Sequence, residues 1–205
     1  MIGLRLVAMH PDRFARLVIA NTGFPSTTSV KDEVSDMLGE VWGKIPVPTA
    51  EEIITQISSG APGSFLYWVK YCAEAPGFSV RDVFGMLSGF QGSELDGYAA
   101  PFPDEAYLQG ARKFPSCVPL LPQHKPDREK NDEHWKVLEA FDKPVLTAFS
   151  DNDPVTRGGE VPFQKRIKGA QGVNHVTIKG AGHFLQDDGA EDLSAAVIDF
   201  IAAHP

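Results

Sequence analysis

Two segments near the end of this chain constrain its fold most. One is Lys143-Pro-Val-Leu-Thr-Ala-Phe-Ser-Asp-Asn-Asp-Pro-Val-Thr156, the other His175-Val-Thr-Ile-Lys-Gly-Ala-Gly-His-Phe-Leu-Gln-Asp187. Each reads as an apolar strand that stops at a turn and presents a titratable group. Continuous apolar runs of this kind suit strands buried on both faces, as in a parallel sheet covered by helices. An acid after one strand and a histidine after the next are the last two members of a nucleophile–acid–histidine triad. In that chain order the nucleophile comes first, on a sharp strand-to-helix turn.

The rest of the chain supports an α/β sheet with a helical insertion. Residues 2–9 have the spacing of a helix packed on a sheet, ended by His10-Pro11, because proline biases the residue before it out of the helical region. Arg16-Leu-Val-Ile-Ala20 predicts a short strand buried on both faces. From 25 to 100 helical patterns, among them Val30–Trp42 and Glu51–Ile57, are broken by Pro46, Pro48, Pro62 and Pro76, and no strong strand run occurs. Asp104 is the predicted N-cap of a helix reaching Phe114, with Glu105 in its first turn. Proline-rich connector follows to Pro126. A helix is expected over Asp132–Phe141, a loop and helix over Gly158–Ile167, the last strand over Val173–Ile178 and a closing helix over Ala190–Ala203. The expected division is 1–24 sheet core, 25–100 helical insertion and 101–205 sheet core.

The chemistry follows from the turn residues. His183 sits in Gly180-Ala-Gly-His-Phe184, where small residues let the backbone turn tightly and leave the imidazole at the strand's carboxyl end. Open α/β sheets carry their sites on that edge. An imidazole titrating near neutrality suits a general base that takes a proton from water. The acid is Asp151 or Asp153; Asp153 is preferred because Pro154 pre-sets a turn after it. Its task would be to hold the His183 tautomer and stabilise the imidazolium. No Gly-x-Ser-x-Gly occurs, and Cys72 and Cys117 lie outside any strand–turn–helix context, so no triad nucleophile is visible. There is no dinucleotide fingerprint, phosphate loop or zinc spacing, and neither cofactor nor metal is expected.

Composition narrows the partners. A net charge of −8 over 205 residues argues against nucleic acid or an anionic membrane as partner. No apolar run approaches a membrane span or a signal peptide. The two cysteines are expected as buried or half-buried free thiols in a reducing cytoplasm.

The residues at 2–23, 98–115, 143–154 and 180–187 resemble the haloalkane dehalogenases of the α/β-hydrolase superfamily. Tyr98-Ala-Ala-Pro-Phe-Pro-Asp-Glu-Ala-Tyr-Leu-Gln-Gly-Ala-Arg-Lys-Phe-Pro115 is the most specific stretch. In many α/β-hydrolases Gly-x-x-Asp-Pro follows the acid's strand, and Ser150-Asp-Asn-Asp-Pro154 matches with Ser in place of Gly. The resemblance implies a partial α/β-hydrolase fold with a helical cap. It also implies an Asp-Trp-Gly-Gly nucleophile elbow just ahead of the helix that begins near Ile2, so the nucleophile would lie outside this chain. The implied substrates are small halogenated hydrocarbons, cleaved with water to alcohol and halide through an aspartyl ester. Phe65-Leu-Tyr-Trp-Val-Lys-Tyr71 best matches the cap segment that carries a halide-binding indole, which singles out Trp68. Trp42 and Trp135 are expected to serve packing or surface cover. The family's other placement for the acid falls on Asn21, so this chain follows the Asp153 arrangement; the Asn21 amide could line the pocket. An epoxide hydrolase, with Tyr67, Tyr71 or Tyr98 as acid, and a non-catalytic remnant are the competing readings.

Overall fold

The computed structural model describes residues 1–61, 63–87 and 89–205, which leaves the expected helix break at Pro62 outside the described residues. Its helices are α1 (Ile2–Met9), α2 (Asp32–Lys44), α3 (Ala50–Ser59), α4 (Ser64–Glu74), α5 (Val80–Leu87), α6 (Ser93–Ala99), α7 (Gln109–Lys113), α8 (Lys125–Ala140), α9 (Glu160–Arg166), α10 (Leu185–Asp188) and α11 (Ala190–Ala203); its strands are β1 (Leu17–Ile19), β2 (Val145–Ser150) and β3 (Val176–Ile178). The chain divides into two compact units, Met1–Ser29 with Pro126–Pro205, and Val30–Lys125. Among the described residues no helix is long and apolar enough to cross a membrane.

The first unit holds a three-stranded sheet in the order β1-β2-β3. Both pairings are parallel, with Leu17 opposite Val145 and Ala148 opposite Val176. All six β2 residues are buried, as its unbroken apolar run requires of a central strand. The core beneath it joins Leu4 and Val7 of α1, Trp135 and Leu138 of α8, and Phe163 of α9 to Leu17, Ile19, Val145 and Phe149. Burying such side chains supplies about 1.5–3 kcal/mol each, which is what holds so small a sheet together.

Both outer strands depart from the expected burial. In β1 only alternate residues are covered: Leu17 and Ile19 are buried, whereas Val18 is 39% exposed. Successive side chains of a strand point to opposite faces, and one face of this edge strand is bare. The last strand begins at Val176 instead of Val173. The reason is His175, whose Nδ1 accepts the Thr147 N–H at 3.1 Å in place of a backbone carbonyl. Nε2 of the same ring meets the Ala170 carbonyl at 3.1 Å, and burial holds this imidazole below its ordinary pKa, in the neutral form that can accept at Nδ1.

The second unit is helical among its described residues. Thr49 and Glu52 form a reciprocal cap at the start of α3: Glu52 N–H donates to Thr49 Oγ1 at 3.3 Å and Thr49 N–H to Glu52 Oε2 at 2.7 Å. The helix ends at Gly60, whose φ of 61° is one that glycine adopts without strain. Ile53, Tyr71, Cys72, Phe78, Val83 and Leu108 form one core, and Leu38, Ile45, Leu66 and Leu121 a second.

This unit runs past the expected exit near residue 100 to Lys125. Arg112 donates to the Cys72 and Ala75 carbonyls at 3.1 and 2.9 Å, and Ser35 Oγ to the Leu120 carbonyl at 2.9 Å, tying the later residues to α4 and α2. Asp104 is not a helix N-cap. Its Oδ1 accepts the Ala106 N–H at 2.9 Å, a local turn that competes with helix, and α7 starts only at Gln109. In contrast, α8 starts at Lys125, before the expected Asp132. Its first turns are too polar to show an apolar period, and Pro126 sits in the opening turn, where the missing N–H costs nothing.

The thiols differ. Cys117 is exposed, a correction to the buried or half-buried state expected from sequence, because α7 and the turn after it lie on the surface. Cys72 is fully buried, and that burial pushes its thiol up to about 12. In the native chain one thiol, Cys117, is expected to react rapidly with Ellman's reagent, and a second only after denaturation. Two fast equivalents would show that α4 is not packed as described.

Candidate active site

The site forms where β2 and β3 end side by side. Beyond β3 the chain turns at Gly180, whose φ of 74° disfavours any side chain. The loops after the two strands stay zipped: Asp151 N–H donates to the Ile178 carbonyl at 3.3 Å and Asn152 N–H to the Ala181 carbonyl at 3.2 Å. Asp153 and His183 are thereby carried to the same edge of the sheet.

His183 Nδ1 lies 3.0 Å from Asp153 Oδ2. The carboxylate is fully buried, while the imidazole is partly open to solvent. Asp153 Oδ1 accepts the Val155 N–H at 2.7 Å, and Thr156 Oγ1 donates to Oδ2. Burial pushes the Asp153 carboxyl up, yet the bonds from His183, Thr156 and Val155 outweigh it and hold the group below its ordinary value. With Asp153 ionised, the proton of a neutral His183 resides on Nδ1. Nε2, for which no partner is seen among the described residues, then carries a free lone pair. An imidazole held this way is built to take a proton from water.

Asp151 does different work. Its Oδ1 accepts the Gly180 N–H at 2.8 Å, and Lys179 lies 3.4 Å from its Oδ2. The Gly180 bond and Lys179 hold its carboxyl below the ordinary range. It caps the turn that presents His183, a contact that sequence did not reveal.

Asn21, two residues past the end of β1, has a φ of 29°, the one positive φ outside glycine among the described residues. Asparagine tolerates that conformation better than most residues. Its Nδ2 donates to Ser150 Oγ at 2.8 Å and to the carbonyls of Gly182 and His183 at 3.0 and 3.2 Å. The segment beyond it is anchored to α8: Trp135 Nε1 donates to the Phe24 carbonyl at 3.0 Å and Asn131 Nδ2 to the Pro25 carbonyl at 2.6 Å. Trp135 is therefore a buried packing residue.

Trp68 belongs to α4 in the second unit. Its half-buried ring packs with Tyr71 and Phe78, both at 6.4 Å between centroids. No hydrogen bond of its indole N–H is seen among the described residues. Among the described residues no hydroxyl, thiol or further carboxylate is seen hydrogen-bonded to His183 Nε2, and Cys72 and Cys117 belong to the other unit.

A parallel sheet that presents a buried acid and a histidine from adjacent strand ends is the arrangement of a partial α/β-hydrolase fold. Solved structures agree at the level of fold. The chain matches wild-type DbjA with a TM-score of 0.64 and 19% identity, over 98% of this chain and 64% of that one. It matches the haloalkane dehalogenase DbeA of Bradyrhizobium elkani USDA94 with a TM-score of 0.62 and 19% identity, over 98% and 63%. Sequence relatives are closer. A haloalkane dehalogenase of Psychrobacter cryohalolentis is 39% identical over 100% of this chain and 58% of its own length. Haloalkane dehalogenase 1 of Mycobacterium tuberculosis is 32% identical over 98% of this chain and 57% of its own length. No family model matches the chain. The chain is thus similar over its whole length to haloalkane dehalogenases, and it spans little more than half of the length of these relatives.

Proposed function

We propose that this chain carries the acid–base half and the cap of a haloalkane-hydrolysing enzyme. The observation that supports this reading most is the 3.0 Å bond from His183 to the buried Asp153. In the proposed reaction an aspartate carboxylate, from residues that this sequence does not contain, attacks the carbon bearing the halogen. The carbon–halogen bond breaks with its electron pair, halide leaves, and an alkyl ester remains on the enzyme. His183 Nε2 then takes a proton from water as the hydroxide oxygen adds to the ester carbonyl. The alcohol departs with a proton returned from the imidazolium, and the carboxylic acid left behind loses its proton to solvent, which regenerates the carboxylate. Asp153 keeps the imidazole in the productive tautomer and offsets its positive charge during the step.

The substrate is a small halogenated hydrocarbon, and the anion that leaves needs an N–H donor in an otherwise apolar place. Trp68 is the proposed cap donor, supported by its unpaired indole N–H and by the resemblance of its segment. Losing a hydrogen bond to an ion costs about 1.5–3 kcal/mol, so Trp68→Phe should weaken bromide binding roughly 10- to 100-fold, read as saturable quenching of tryptophan fluorescence. A variant that melts earlier but binds bromide as before would make Trp68 a packing residue only. The epoxide-opening alternative gains no support from Tyr71: burial pushes its hydroxyl up, away from an acid able to protonate an epoxide oxygen. The two free thiols are in keeping with a reducing cytoplasm as the proposed location.

The test is a fusion. The N-terminal segment of the Psychrobacter cryohalolentis relative, placed ahead of Met1, should release bromide from 1-bromobutane with multiple turnover, and the 205-residue chain should release none. A fusion that folds and binds bromide but releases none would sink the reading.

A further inference from the structure

We propose that Asn21 and Ser150 form a latch that positions His183, resting on the reading above for its consequence in catalysis but not for its geometry. The two residues are 129 positions apart; Ser150 is the last residue of β2, and Asn21 follows the adjacent strand β1 by two residues. Ser150 N–H donates to Asn21 Oδ1 at 2.9 Å, and Asn21 Nδ2 returns a bond to Ser150 Oγ at 2.8 Å. Ser150 Oγ in turn donates to the Gly182 carbonyl at 2.7 Å. That carbonyl also accepts from Asn21 Nδ2 at 3.0 Å, and the His183 carbonyl accepts from it at 3.2 Å. The backbone on both sides of the Gly182–His183 peptide is thus gripped by side chains rooted in the sheet.

The grip matters because it acts on the very carbonyls of Gly182 and His183, where the zipping bond from Asn152 N–H reaches only as far as the Ala181 carbonyl. Gly182 N–H reaches only Asp188 in the short α10, at 3.0 Å. The Asp153–His183 bond closes only if the His183 backbone stays in place, since the carboxylate is immobile within its own turn. Ser150 stands where the related pattern has Gly, so its hydroxyl is a contribution of this chain. Its burial explains why the hydroxyl makes its hydrogen bonds to Asn21 and Gly182: a buried hydroxyl left unpaired is unfavourable. Asn21 is a positioning residue, since its amide touches the backbone that carries the base and not the reacting atoms. Asparagine also answers the positive φ, so its conformational and hydrogen-bonding roles must be separated by experiment.

The 205-residue chain serves for the test, because the readout needs no substrate. The Nδ1 proton of His183 should give a downfield resonance in proton NMR, assigned by its loss in His183→Gln. Asn21→Gly keeps the backbone conformation and removes the amide; Ser150→Ala removes the hydroxyl alone. Each is expected to speed exchange of that proton with water about tenfold or more, the factor expected for a lost hydrogen bond of ordinary strength. Asn21→Ala, which adds backbone strain, should do the same and also lower the melting temperature. Protection as strong in Asn21→Gly and Ser150→Ala as in the parent overturns the latch, and so does a parent chain with no protected resonance. A latch that fails in this way leaves the fusion's bromide release free to succeed, and a fusion that releases no bromide leaves the resonance unaffected.

Discussion

Replacing His183 with Phe in the fusion enzyme is expected to stop turnover after one halide per site. The first step, displacement of halide by a carboxylate, needs no base. The second needs a proton taken from water, and His183 is proposed to take it through Nε2, for which no partner is seen among the described residues. Phe keeps a ring of similar shape against Phe184, which now packs edge-on at 5.4 Å between centroids. Folding should survive while the base is lost. Intact mass should then reveal the alkyl-enzyme, heavier by the alkyl group less one hydrogen, together with a single burst of bromide. Continued turnover would place the base elsewhere, and absence of both burst and adduct would mean that His183 also supports the first step.

The second expected result concerns the two acids, which lie two residues apart. Asp153→Asn removes the charge that stabilises the imidazolium, and its amide can present N–H to Nδ1, favouring the wrong tautomer. In a related arrangement that change lowers kcat by about 10⁴-fold, and a comparable loss is expected here. Asp151→Asn still offers an oxygen to the Gly180 N–H, so its effect should stay within about tenfold, the range of one lost charge–dipole contact. Equal losses would mean that the acid is shared. Stability should follow pH in a related way. Asp153 is held below its ordinary value of 3.8, so its bonds contribute fully above that pH and are lost as the pH falls through the lower folded value. Asp153→Asn should therefore lose stability less steeply below pH 3.8 than the parent does, measured by urea unfolding. An acid limb of unchanged slope would show that this carboxylate does not titrate with folding.

How much of this was legible beforehand depended on the reach of the forces involved. Residues 2–9 and 190–203 read as helices and are α1 and α11, because amphipathic spacing and terminal signals act within a few residues. The run Val145–Ser150 read as a buried strand, and each of its residues is buried. The turn chemistry of Asp153-Pro154 and Gly180–His183 likewise marked where an acid and a base leave the sheet. Local signals failed where a partner far along the chain decided the outcome. Whether Val18 is covered depends on which face of the sheet receives a helix. Where β3 begins depends on the ring of His175, which reaches across to Thr147. The start of α7 was lost to a side-chain turn at Asp104, and the start of α8 to a polar opening that has no period to read.

The sequence by itself determined the chemical types present, the fold class and the sheet edge on which they stand. Those are properties of short segments and of their order. Pro154 already favoured Asp153 in the sequence, and the tertiary structure supplies the contacts themselves: Asp153 meets His183, while Asp151 caps the turn at Gly180. The tertiary structure alone decided that Asn21 and Ser150 meet, since parallel pairing of β1 with β2 brings together residues 129 positions apart. Hydrogen bonds act over about 3 Å, so a contact between residues so distant in sequence exists only once the strands are in register.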